Sequence, residues 1–152
     1  FHSSLHNYSV WDCCAASGGK SILLYDKLGG NIKLTVSDIR KNILHNLQQR
    51  LQEAQVPVYK TFAADLTQCV PADKEDLFEL IICDAPCTGS GTWSRTPEQL
   101  AFFKKTSIGE YAAKQKKIVG KETALLKKRQ LIFYMKPAYC CSKTLFDMAD
   151  FL

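Results

Sequence analysis

Apolar residues recur along the chain in two alternating rhythms, one of a strand and one of a helix. Val10-Trp11 leads into Asp12 and a glycine pair, after which Ile22, Leu23 and Leu24 run toward Gly29-Gly30, a natural helix stop. That reads as strand, tight loop, helix. Ile32-Lys33-Leu34-Thr35-Val36 alternates as a strand should and ends at Ser37-Asp38, before Ile39, Ile43, Leu44, Leu47 and Leu51 repeat at helical spacing. Val56-Pro57-Val58-Tyr59-Lys60-Thr61-Phe62 is a third strand ending near Asp65, and the polar stretch through Lys74-Glu75-Asp76 receives no assignment. Phe78 and Leu80-Ile81-Ile82-Cys83 form a nearly continuous apolar run that ends at Asp84, as in a central parallel strand buried on both faces.

Downstream, Thr96-Pro97-Glu98-Gln99 combines a capping-box pattern with proline at the first helical position, predicting a helix from there to about Lys105. A longer helix follows from Ile108, Tyr111, Ala112, Gln115, Ile118, Val119, Glu122, Leu125 and Leu126, and Leu131 to Met135 supplies a fifth strand. Strands alternating with helices imply right-handed crossovers, hence an α/β fold with a parallel sheet and helices on both faces. Ligands of such sheets bind beyond the carboxyl ends of the strands, where Asp12, Asp38, Asp65 and Asp84 stand. Any one of them taken alone reads more readily as a turn or cap residue; their shared placement points to a ligand.

Composition adds bounds. With 152 residues, 46% hydrophobic and 23% charged, one globular domain spanning residues 1–152 is expected. No apolar run approaches the roughly 20 residues of a membrane span, and Phe1-His2-Ser3-Ser4 does not resemble a signal peptide, so a soluble protein without membrane partners is expected. The 7 cysteines lack the paired spacing of a metal site and the regularity of a disulfide framework, which fits reduced thiols in a cytoplasm and no metal. The net charge of +5 owes much to Lys104, Lys105, Lys114, Lys116, Lys117, Lys121, Lys127, Lys128 and Arg129. These residues suit a polyanionic partner or a solvated helix face, and charge alone does not choose.

The loop Asp12-Cys13-Cys14-Ala15-Ala16-Ser17-Gly18-Gly19-Lys20-Ser21 puts small residues between strand and helix, so that backbone amides can approach a ligand. Gly19-Lys20-Ser21 matches the end of a phosphate-binding P-loop, but Cys14 stands where that motif requires glycine. The dinucleotide fingerprint is also missing, although Asp38 lies where a ribose-binding acid belongs. An adenosyl group without a pyrophosphate remains.

These residues resemble the first motif of the RNA cytosine-5 methyltransferases of the Fmu/Sun type, D-x-C-A-A-P-G-G-K-[TS], with Ser17 in place of its proline. Asp84-Ala85-Pro86-Cys87-Thr88-Gly89-Ser90-Gly91 resembles the family's D-A-P-C-[ST]-G-[ST]-G at every position, with Trp93 and Arg95 close behind. The resemblance runs from about Tyr8 to Leu126 and implies a Rossmann-like class I methyltransferase core of strand order 3-2-1-4-5 binding S-adenosylmethionine. By that carry-over Cys14, Ala15, Ala16, Ser17, Gly18, Gly19 and Lys20 surround the methionine part, Asp38 holds the ribose hydroxyls, Asp65 lies near the adenine, and Asp84 binds the cofactor while also facing the target base. Carboxylates suit the last two tasks because ribose hydroxyls and the adenine amino group donate hydrogen bonds.

The implied substrate is an RNA, ribosomal or transfer. Carbon 5 of cytosine is a poor nucleophile, so a thiolate adds at carbon 6, Asp84 supports the base edge, and Cys87 serves product release in the family's scheme. The family's attacking cysteine follows the fifth strand, where Tyr139-Cys140-Cys141-Ser142 stands; Cys140 replaces threonine and Lys128-Arg129 replaces a glycine pair. Either Lys136-Pro137-Ala138 is an insertion that still delivers Cys141, or the chain after Gln130 has diverged and the nucleophile is absent, leaving a non-catalytic cofactor- or RNA-binding module. The sequence reads as a fragment lacking the terminal strands of the sheet, which leaves the fifth strand as an edge prone to self-association.

Overall fold

The computed structural model describes residues 7–68, 78–122 and 126–134. Its strands are β1 (Tyr8–Asp12), β2 (Ile32–Asp38), β3 (Val58–Ala63), β4 (Phe78–Cys83) and β5 (Leu126–Tyr134), and its helices are α1 (Gly19–Lys27), α2 (Lys41–Glu53), α3 (Glu98–Ala101) and α4 (Ser107–Glu122). The strands form one sheet of order β3-β2-β1-β4-β5, parallel at every pairing. This is the expected α/β order, and it brings the carboxyl ends of β1, β2 and β4 side by side. Among the described residues no helix is long and apolar enough to cross a membrane.

Alternation along β1 divides the core into two layers. Val10 faces one way, into a cluster with Ile32, Leu34 and Val36 of β2 and with Leu44, Leu47 and Leu51 of α2. Trp11 faces the other way, among Phe78, Ile81, Cys83 and Ile118 of α4. Trp11 is fully buried, stacks on Phe78 with ring centroids 5.3 Å apart, and donates from Nε1 to Ser37 Oγ at 3.0 Å. Ser37 Oγ donates in turn to the Cys13 carbonyl at 3.0 Å, so the indole N–H and the hydroxyl are both paired. The corner lies directly beneath the loop that follows β1.

Four boundaries differ from the sequence expectation. Helix α2 begins at Lys41, not Ile39, because Asp38 accepts the Arg40 backbone N–H at 3.0 Å and sets a turn ahead of the helix. Strand β3 starts at Val58; Val56 instead donates its N–H to the Leu51 carbonyl at 2.8 Å and closes the end of α2. Helix α3 stops at Ala101, short of Lys105, and no side-chain cap bond starts it. Thr96 Oγ1 donates backward to the Thr92 carbonyl at 3.0 Å, and Phe103 packs on Trp93 at 4.9 Å, which turns the chain away from the helix axis.

The fourth concerns Leu126, which continues the apolar rhythm of α4 yet lies in β5, paired with Phe78. The edge of β4 offers backbone partners that outweigh helical spacing, a tertiary override of local pattern. A register shift follows before Leu131–Tyr134 pair with Leu80–Cys83.

Candidate active site

Two loops meet at the carboxyl ends of β1 and β4. Lys20 Nζ of the first loop and Asp84 Oδ2 of the second form an ion pair at 2.5 Å, with both side chains a little over one-third exposed. Neither is sealed in the core, so the pair faces the space above the sheet. The expected segments 12–20 and 84–87 are therefore brought together.

The first loop is built by tight backbone bonding. Cys13 N donates to the Ile82 carbonyl, Ala15 N to the Ser37 carbonyl at 2.9 Å, and Gly18 N back to the Ala15 carbonyl at 2.8 Å. Ala16 and Gly18 hold positive φ, 46° and 82°. At Gly18 a Cβ would stand 2.3 Å from Leu47 Cδ1, so glycine is required both by its backbone and by its neighbour. A Cβ at Gly19 would meet nothing within 4 Å, so the loop is open at the start of α1. Arg50 of α2 donates to the Ser17 carbonyl at 2.7 Å, tying down the loop where the family pattern has proline.

Asp12 lies beneath this loop with no exposed surface; Ser21 Oγ donates to its Oδ2 at 2.6 Å, while Oδ1 is buried without a hydrogen-bond partner. Burial pushes its pKa from 3.8 up to about 6, with the Ser21 hydrogen bond opposing. Because the folded value lies above the unfolded one, the stability it confers is complete below pH 3.8 and is lost as pH rises through about 6. At about 1.4 kcal/mol per pH unit the swing is about 3 kcal/mol. Asp12→Asn, which cannot ionise, should therefore gain stability relative to the native protein between acid and neutral pH. Thermal melts of both proteins across that range check this; an offset that stays constant with pH would exclude Asp12 as the titrating group.

Asp38 sits at the end of β2, almost fully buried, and accepts the Ala16 N–H on Oδ2 at 3.1 Å. The Arg40 guanidinium grips both of its oxygens, Nε to Oδ1 at 3.0 Å and a terminal nitrogen to Oδ2 at 3.2 Å. Burial raises the Asp38 pKa, but the Arg40 and Ala16 hydrogen bonds outweigh it and hold the carboxyl below its usual range. Cys14 is half-buried; the Cys13 and Cys83 thiols hydrogen-bond to it and lower its pKa, against burial and the charges of Asp38 and Asp84. Asp65 is placed in a turn after β3, where Thr67 donates to its Oδ1 from both backbone N–H and hydroxyl. It shares no hydrogen bond with the Lys20–Asp84 pair.

In the second loop the Gly89 N–H points at Cys87 Sγ at 3.4 Å, and buried Gln115 of α4 donates from Nε2 to the Pro86 carbonyl at 3.0 Å. The sequence reads Gln115 only as part of a helical stripe and Ser21 only as the last residue of the loop motif, and Arg40 and Arg50 carry no motif of their own. Cys141, the expected nucleophile, lies outside the described residues. Two open hollows run along α1 and α2, one lined by residues such as Gln48, Leu51 and Pro57 and the other by Gly19, Ile22 and Gly30, and neither is lined by Lys20 or Asp84, so concavity alone does not mark this site.

Residues 4–148 match the protein family described as 16S rRNA methyltransferase RsmB/F. The chain is similar to the ribosomal RNA small subunit methyltransferase B of Shewanella oneidensis, 31% identical over 113 residues that make up 74% of this chain and 26% of that protein. It is also 25% identical over 126 residues to the probable ribosomal RNA small subunit methyltransferase B of Bacillus subtilis, 83% of this chain and 28% of the relative. The chain thus spans less than a third of the length of these curated relatives. Among solved structures it resembles NSun6 from Pyrococcus horikoshii with SFG, at a TM-score of 0.72 and 23% identity over 84% of this chain and 32% of the other. An S-adenosylmethionine-dependent methyltransferase from Clostridium acetobutylicum matches at 0.55 and 13%, over 83% and 41%. At such identities the two structures speak to the fold, which is that of class I methyltransferases.

Proposed function

We infer, since this chain belongs to the 16S rRNA methyltransferase RsmB/F family, that it supplies the S-adenosylmethionine-binding core of an rRNA cytosine-5 methyltransferase. The observation that carries the reading is the Lys20–Asp84 ion pair, which joins a small-residue loop to an Asp-Ala-Pro-Cys segment above the sheet. The residues fit an adenosylated amino acid: the loop is open at Gly19, and Asp38 and Asp65 are acceptors suited to hydroxyl and amino donors. Residues 14–20 would hold the methionine part, Asp38 the ribose and Asp65 the adenine.

The cofactor brings an electrophilic methyl group on a sulfonium. The chain's own contribution is positioning and proton control. Lys20 keeps the Asp84 carboxylate directed over the ends of β1 and β4, where it can accept a hydrogen bond from the cytosine edge. Addition of a thiolate at carbon 6 raises electron density at carbon 5; after transfer, loss of the carbon-5 proton to a base lets the thiolate leave. We assign Cys87 to that release step, with the Gly89 N–H steadying its sulfur and Gln115 fixing the peptide before it. Cys141 remains our candidate for the attacking thiol.

Tritiated methyl transfer to 16S rRNA tests the reading, and Cys87→Ala tests the mechanism. The variant should accumulate a covalent RNA adduct, seen as a slowly migrating band in denaturing gels, and the adduct should vanish when Cys141→Ser is added. Transfer with unchanged turnover in Cys87→Ala would remove Cys87 from the release step. Cofactor binding with neither transfer nor adduct would favour a non-catalytic module.

A further inference from the structure

The Asp38 carboxylate is saturated. An ionised carboxylate offers about four lone-pair positions, and Asp38 already receives the Ala16 N–H, the Arg40 N–H, Arg40 Nε and an Arg40 terminal nitrogen. The two backbone donors are fixed by the loop and by the turn into α2. The two guanidinium donors are not: the Arg40 side chain is 55% exposed, against 6% for Asp38. A ribose carries two adjacent hydroxyls, and each needs an acceptor site that Arg40 now fills.

We propose that the Arg40 side chain is a built-in competitor for the ribose position, so that adenosyl ligands bind only as its guanidinium swings off Asp38. This rests on the assignment of Asp38 to the ribose given above. The forked geometry of arginine makes it an apt stand-in, since two parallel N–H groups span the carboxylate as two vicinal hydroxyls do. The exit path lies toward solvent, and the backbone N–H of Arg40 stays on Oδ1 throughout. Arg40 therefore sets affinity without touching the reacting groups.

Calorimetric titration of S-adenosylhomocysteine into the native chain, Arg40→Ala and Asp38→Ala decides the matter. With the guanidinium side of the pair open to solvent its attraction is partly screened, so Arg40→Ala should bind about fivefold more tightly than the native chain. Asp38→Ala should bind more weakly than both. Added salt screens the Arg40–Asp38 pair, so the gap between native and Arg40→Ala should narrow as ionic strength rises. With an analogue lacking the 2′ and 3′ hydroxyls the gain should vanish, which a general loosening of the loop would not produce. Equal or weaker binding by Arg40→Ala, with Asp38→Ala still impaired, overturns the competitor role and leaves the ribose assignment standing. Absence of binding in the native chain and in Arg40→Ala alike overturns both.

Discussion

Asp84→Asn is expected to lower the rate of methyl transfer by about a thousandfold, the scale lost when a preorganised charge is removed from a developing transition state. The change is nearly isosteric, so what disappears is the negative charge and one of two acceptor oxygens. Asp84 and Lys20 are each more than one-third exposed, and such pairs contribute little to folding, on the order of 1 kcal/mol or less. The melting temperature should thus stay within a few degrees while the chemistry collapses. Single-turnover transfer of a tritiated methyl group to 16S rRNA, read beside a thermal melt, separates the two quantities. A variant that keeps more than about a tenth of the native rate would place the transition-state charge elsewhere.

Gly18→Val should have the largest effect on stability. A β-branched residue at a φ of 82° is forced into a region it rarely adopts, and its Cβ would overlap Leu47 Cδ1, a side chain with no exposed surface. Left-handed strain of about 1–2 kcal/mol and overpacking of about 1–3 kcal/mol act together, since the loop cannot lift away without breaking the Gly18 to Ala15 and Ile22 to Gly18 bonds. A loss of about 2–5 kcal/mol is expected, or about 4–20 °C in melting temperature for a domain of this size. Gly19→Ala is the matched control, because a Cβ there meets no neighbour. Equal melting of the two variants would show that the loop adapts at Gly18.

Much of this architecture is legible in the residue pattern. Alternation in β1 and β2 and the apolar run of β4 survive folding almost unchanged because both sheet faces are covered, and acids at the strand ends mark the side on which the loops converge. What the pattern misplaces are junctions where distant partners decide. Leu126 fits a helix until the edge of β4 is available, and Thr96 fits a cap until the Thr92 carbonyl lies closer. The supporting residues of the site were hidden for the same reason. Arg50 reaches Ser17 and Gln115 reaches Pro86 across separations of 33 and 29 residues, and neither contact leaves a local signature. Asp12 was visible as a strand-end acid, but its burial beneath the loop, with Ser21 of α1 bonded to its carboxylate, leaves no mark in the local pattern.

The chain's two tryptophans occupy contrasting surroundings. Trp11 is wedged without exposure between β2, β4 and α4, stacked on Phe78, whereas Trp93 lies half-buried against Phe103 in the loop that follows Cys87. Their fluorescence therefore divides by depth. Trp11, buried in an apolar layer, should emit to the blue and report whether the sheet is intact, and Trp93, read with Trp11 replaced by phenylalanine, should report on the loop that follows Cys87. The protein thus carries its own pair of optical probes, one for cooperative unfolding and one for the loop that follows Cys87.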